Sequence, residues 1–126
     1  MRKGSYTVPS ADGAEADLSI TAFPGDVGGN LANVNRWRGQ LELPPFPEAE
    51  LGSSLQHLDI GDLHVDVVEF ANTQSAKPQR MIGAIVPFGG STWFFKLTGP
   101  DTLVAQERDA FLAFLRTIKA PAANTQ

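Results

Sequence analysis

The sequence predicts an α+β domain, an antiparallel sheet of about six strands in the order ββ-α-ββββ-α with helices packed on it. Two observations carry that expectation. Alternating apolar and polar stretches meet in pairs at turn signals, Asp12-Gly13, Gly61-Asp62 and Gly89-Gly90-Ser91, as hairpins require. Two other stretches instead space their apolar residues by three and four, the period of a helix face.

The first hairpin sets Gly4, Tyr6 and Val8 against Ala16, Leu18, Ile20 and Ala22 on one apolar face, with Lys3, Ser5, Thr7, Asp17, Ser19 and Thr21 on the other. Pro24-Gly25 ends it. A helix is expected at about 30–40, with Leu31, Val34, Trp37 and Leu41 on its packing face and Asn30 or Asp26 as the cap. Leu43-Pro44-Pro45 stops this helix, because proline disfavours helical geometry at the residue before it. Pro47 opens one further short turn.

Residues 55–60 and 63–70 then flank Gly61-Asp62, a two-residue hairpin signal, and 71–79 is a polar loop. A second hairpin joins 81–87 to 92–98. Gly99-Pro100-Asp101 opens a final helix to about Lys119, acidic early and basic late, the order that complements the helix dipole. Its predicted stripe is Val104, Phe111, Phe114, Leu115 and Ile118.

With 126 residues and 13.5 kDa, the chain makes one domain over 1–120, followed by a tail at 121–126 expected to fray. Apolar residues at 42% and charged residues at 19% exclude disorder, collagen and coiled coil. No apolar run approaches the roughly 18 residues of a membrane span. The start, MRKGSYTV, lacks the apolar centre of a signal peptide, so the chain as written is expected to be soluble. The absence of cysteine excludes disulfides, thiolate metal sites and cysteine nucleophiles, while leaving the compartment open. The net charge of −4 comes with scattered basic residues, which argues against nucleic acid as a partner. Between Arg38 and Lys77 no Lys or Arg occurs, whereas Glu42, Glu48, Glu50, Asp59, Asp62, Asp66 and Glu69 do, so this third of the chain is an acidic surface.

The run GGNLANVNRWRGQLELPP, with MIGAIVPFGGSTWFFKLTGP and VAQERDAFLAFLRTIK downstream, resembles a family of small bacterial domains for which no activity is established. The resemblance extends over nearly the whole chain. Members generally carry an additional N-terminal stretch with an export or lipoprotein signal. The resemblance therefore implies that this is the soluble domain of a periplasmic or envelope-attached protein. The element order is also similar to that of PsbP-like domains, a likeness of fold from which no function follows.

Four groups of residues are candidates for chemistry. The glycine-rich stretch from Gly25 into the helix start can hold an anion, although its spacing matches neither nucleotide fingerprint and Asp26 would repel a phosphate. Within it, Asn33, Asn35, Arg36, Trp37 and Arg38 are candidate binding residues. On the plainer reading the asparagines and Arg36 bond loop backbone and Trp37 sits in the core. Second, a Gly61-Asp62 turn pairs Ile60 with Leu63, Asp59 with His64 and His57 with Asp66, which puts both His and both Asp on one face. Such a set either ligates zinc, manganese or iron, acts as an acid/base pair, or forms exposed cross-strand ion pairs. Third, Glu107 falls inside the apolar stripe of the last helix, where it either has a raised pKa, or reaches the rim or pairs with a base such as Lys96 or Arg108. Fourth, Phe94 points away from the core face of Trp93, Phe95 and Leu97. Either a second helix covers it, or it joins Phe88 in an exposed apolar patch that marks a partner site.

No GxSxG occurs, and no motif requires a cofactor. Two functional classes remain. One is a non-catalytic extracytoplasmic domain, monomeric or weakly dimeric, that binds another envelope protein or serves as an accessory unit. The other is a small-molecule or metal site, hydrolytic or not, at the His/Asp cluster or at the Gly28-Gly29 helix start.

Overall fold

A computed structural model of the chain describes residues 2–9, 15–24, 29–47, 49–50, 55–61, 63–74, 76–88 and 90–117. Its strands are β1 (Arg2–Pro9), β2 (Glu15–Pro24), β3 (Gln56–Ile60), β4 (Leu63–Asn72), β5 (Gln79–Phe88) and β6 (Ser91–Pro100). The helices are α1 (Gly29–Gln40), α2 (Asp101–Gln106) and α3 (Arg108–Leu115). The six strands form one antiparallel sheet in the order β1-β2-β6-β5-β4-β3, so the α+β class and the strand number are as the alternation predicts.

The three hairpins are local, and in the β3–β4 and β5–β6 hairpins a described turn glycine accompanies the register. Gly61 and Gly90 sit at positive φ of 60° and 80°, the region glycine enters without steric cost. The non-local step is the pairing of β2 with β6, Asp17 opposite Thr98 through Pro24 opposite Ser91. It joins the first hairpin to the other four strands.

Period two then sorts the side chains onto two faces, and each face has its own core. On one, Leu63, Val65, Val67, Ile82, Ala84, Val86, Phe95 and Leu97 pack under Leu103, Val104, Phe111 and Leu115 of α2 and α3. On the other, Val68, Phe70, Met81, Ile85 and Phe94 pack under Val34 and Trp37 of α1 and Leu41 just beyond it. Burial on both faces is why β5 reads as a nearly unbroken apolar run rather than an alternation.

Trp37 is the centre of the second core. It is 1% exposed, meets Phe94 edge-on at 5.6 Å between ring centroids, and packs against Gly83, where any Cβ would overlap its ring. Phe94 is thus covered by a helix, and Phe88 packs at the margin of the opposite core. The shared Phe88/Phe94 patch does not exist, because the two residues point to opposite sides of the sheet.

The helix α1 ends in a Schellman arrangement. Leu43 N–H donates to Arg38 O at 2.9 Å and Glu42 N–H to Gly39 O at 3.0 Å, with Glu42 at φ 60° in the position that glycine usually takes.

Three expectations need correction. The last helix is two, broken at Glu107 (φ −89°, ψ 3°), whose N–H is shared between Leu103 O and Val104 O. Neither Gly nor Pro marks that site. Phe114 is 37% exposed rather than core, and Tyr6 is 56% exposed because α2 and α3 do not cover β1. The expected turn after Pro47 is present as Glu50 N–H donating to Pro47 O at 2.9 Å. The first hairpin turn, the helix cap, Leu31 as a packing residue, Ile118, Lys119 and the 121–126 tail lie outside the described residues or side chains.

Candidate functional site

On the face that carries α1, the helix covers β4, β5 and β6, and its coverage stops at β2. By strand pairing, Ser5, Thr7, Asp17, Ser19 and Thr21 point to this same face. They are polar, and Ser5 Oγ donates to Asp17 Oδ1 at 3.0 Å. The step between the apolar, helix-covered half and the hydroxyl-bearing half leaves a cleft of about 320 Å³, lined by Ser19, Thr21, Phe23, Arg36, Trp37, Phe94 and Lys96. This volume falls at the small end of ligand sites.

Phe23 and Phe94, with ring centroids 5.9 Å apart, and the edge of Trp37 form its apolar wall. The two cations come from different elements. Arg36 is exposed on α1, and Lys96 on β6 is held by Gln40 Oε1 at 3.1 Å with its Nζ 5.7 Å from the Trp37 ring. Thr21, Phe23, Arg36 and Lys96 keep accessible surface, with Ser19, Trp37 and Phe94 buried behind them, and one ring beside two cations suits a ligand with an anionic group on an apolar body.

The remaining candidates of the α1 stretch are structural. Asn35 clamps the following loop twice, accepting from Phe46 N–H at 2.7 Å and donating to Phe46 O at 3.2 Å. Arg38 Nε donates to Pro44 O at 2.7 Å, and its guanidinium stacks 3.8 Å from the centroid of Phe46. Burial there draws its pKa below the ordinary arginine value, against a smaller raising effect of Glu50. Asn33 is buried. The side chains of Gly29, Asn30 and Leu31, and residues 25–28, are outside the described set, and with them the anion-cradle reading of the helix start.

The hairpin cluster assembles as its sequence predicts, His57 opposite Asp66 and Asp59 opposite His64. His57 Nδ1 lies 2.5 Å from Asp66 Oδ1, and His64 Nδ1 lies 3.0 Å from Asp59 Oδ1. Both rings are largely exposed, at 56% and 61%, whereas Asp66 is 15% exposed.

Glu107 is half-buried at the rim of the α3 core, and the two bases considered as its partners point elsewhere. Lys96 is on the opposite face of the sheet, and Arg108 is committed to Glu69, with Nε to Oε1 at 2.7 Å and Nη2 to Oε2 at 2.5 Å. Arg80 adds Nη1 to Glu69 Oε2 at 2.6 Å and Nε to Asp101 Oδ1 at 2.7 Å. This network ties α2 and α3 to β4 and β5. Hydrogen bonding from Arg108, aided by Arg80, holds the Glu69 carboxyl below the usual glutamate range despite its burial. Glu107 itself borders an apolar groove of about 200 Å³ with Leu18, Leu97, Ala110, Phe111 and Phe114.

Four cleft residues were missed: Ser19, Thr21, Phe23 and Lys96. The available signal was the polar side of β2, where Ser19 and Thr21 alternate with apolar neighbours, combined with Lys96 on the same side of β6 as Phe94. Only the β2–β6 pairing brings these together.

Among known proteins, no family model matches the chain, and no curated protein matches it. Among solved structures it is similar to a crystal structure of PA94 from Pseudomonas aeruginosa, a protein of unknown function suggested to be a regulator. That likeness has a TM-score of 0.62 at 14% identity and covers 92% of this chain and 81% of that one. At this identity the shared property is the fold.

Proposed function

We propose that this chain is a non-catalytic binding or accessory domain of the extracytoplasmic space, and that the cleft between α1 and β2 is where it binds another envelope protein. The observation that carries the reading is the composition of that cleft, the Phe23 ring and the Thr21 hydroxyl beside Arg36 and Lys96. Such a site takes a carboxylate borne on an apolar residue, as at a chain terminus or in an acidic-aromatic segment. The extracytoplasmic setting is supported by the family resemblance of the GGNLANVNRWRGQ run, whose members carry export or lipoprotein signals.

The test is amide chemical-shift mapping with N-acetyl-phenylalanine, whose free carboxylate and ring mimic such an end, against its amide as the control. The carboxylate is expected to move the resonances of Thr21, Phe23, Arg36 and Lys96 at up to about 10 mM, where even a contact worth only about −3 kcal/mol registers. The amide should move them several-fold less. Absence of shifts in the cleft, or equal shifts with both probes, overturns the reading.

A further inference from the structure

We propose that His57, His64 and Asp66 form a binding site for a divalent d-block cation, with zinc the best fit, on the outer face of the β3–β4 hairpin. This site is independent of the cleft. One donor comes from the edge strand and two from its neighbour, and one donor atom of each residue lies within 4.8 Å of those of the other two. Zinc bonds of about 2.0–2.2 Å place tetrahedral donors roughly 3.3–3.6 Å apart. The donors must move by about an ångström to enclose an ion, with His57 giving up its 2.5 Å contact with Asp66 Oδ1, a movement that rotation of two exposed imidazoles supplies without backbone change.

Several details favour a cation over a pair of plain surface contacts. His64 Nε2 stands 3.8 Å from Asp66 Oδ1, too long for a hydrogen bond and close to the spacing of two ligands around one ion. The rings of His57 and His64 stack at 5.5 Å with 24° between their planes, which sets the two imidazoles side by side next to Asp66. Asp59 Oδ1, 3.0 Å from His64 Nδ1, is placed to accept the N–H of His64 while Nε2 faces the ion, the supporting contact that metal-bound histidines characteristically make. Asp66 is paired across β4 and β5 with the buried Ile85, which fixes the carboxylate on the interior of the sheet rather than on its edge. Two imidazoles with one carboxylate suit zinc, copper, nickel or iron and disfavour magnesium and calcium, which prefer all-oxygen sets. A fourth position faces solvent and is left for water.

The experiment is titration of the metal-free protein with zinc chloride, followed by calorimetry and by the imidazole resonances of both histidines. One equivalent is expected to bind at about 10 µM or tighter, moving the ring signals of His57 and His64 together. His57→Gln and Asp66→Asn should each weaken binding at least tenfold, the usual minimum on losing a ligand or its support. Magnesium and calcium should move neither ring. Because both histidines are exposed, the wild-type ring signals decide the matter even if a variant folds poorly. No zinc-induced shift at millimolar metal, shifts of one ring alone, or affinity unchanged in both variants overturns the site.

Discussion

The contact of Trp37 with Gly83 offers the sharpest test of how α1 is held on the sheet. Trp37 fills the space that any side chain at position 83 would need. Gly83→Ala must therefore push a fully buried ring off a packed surface, an overpacking penalty of about 1–3 kcal/mol. Trp37→Leu removes the six-membered ring and leaves a void, for about 2–4 kcal/mol within the usual range of large-to-small core changes. In the Trp37→Leu background the added methyl at 83 meets no ring, and alanine is the better strand residue by about 0.5–1 kcal/mol. The second change should then be neutral or stabilising. The expected coupling is about 1–3 kcal/mol, well beyond the few tenths at which independent sites add. Urea unfolding of the four proteins measures it, and the Leu substitution is milder than Trp37→Ala, which would cost about 3–5 kcal/mol. Additive effects within 0.5 kcal/mol or so would refute the packing of α1 described here.

Other consequences are equally direct. Glu69→Gln should cost about 1–3 kcal/mol at neutral pH, because it removes the charge that three arginine contacts hold. The lowered folded pKa means that the stabilisation by Glu69 is complete above its ordinary value of 4.5 and is lost as pH falls through the folded value. Wild-type melting temperatures should therefore drop more steeply below pH 4.5 than those of the Gln variant, and parallel curves would contradict the network. Glu42→Gly relieves a non-glycine residue from φ 60° at the end of α1 and should raise stability by about 0.5–1 kcal/mol in thermal melts. Gly99→Ala should lower it, since the new Cβ would sit 2.8 Å from the backbone of Ala16.

Local features of this fold were legible in the sequence, and features that depend on closure were not. The Gly61 turn fixes the partner of every residue in β3, so the His57/Asp66 and Asp59/His64 pairs could be written down from period two alone. Phe94 on the polar side of β6 left either a second covering helix or an exposed patch with Phe88, and the structure has the helix, on the face that Val34, Trp37 and Leu41 form. The exposure of Tyr6 and Phe114 was not legible, because alternation says which side of a strand is apolar and not how far the covering helices reach. The network of Glu69 with Arg108 spans 39 residues and has no local signature, so Glu107, which has helical spacing in its favour, drew attention instead. The cleft is the same case. Ser19 and Thr21, Arg36 and Trp37, and Phe94 and Lys96 come from three separate segments, and only the β2–β6 pairing makes them one site.

The central claim is that the cleft recognises an anionic group on an apolar body. Calorimetric titration of N-acetyl-phenylalanine into the wild type and into Arg36→Glu tests it most directly. Arg36 is exposed and outside both cores, so its replacement leaves the fold intact. Measurable binding to the wild type is expected, with at least a tenfold loss on reversing the charge, equivalent to about 1.4 kcal/mol. Binding of equal strength to both proteins, or to neither, would contradict it.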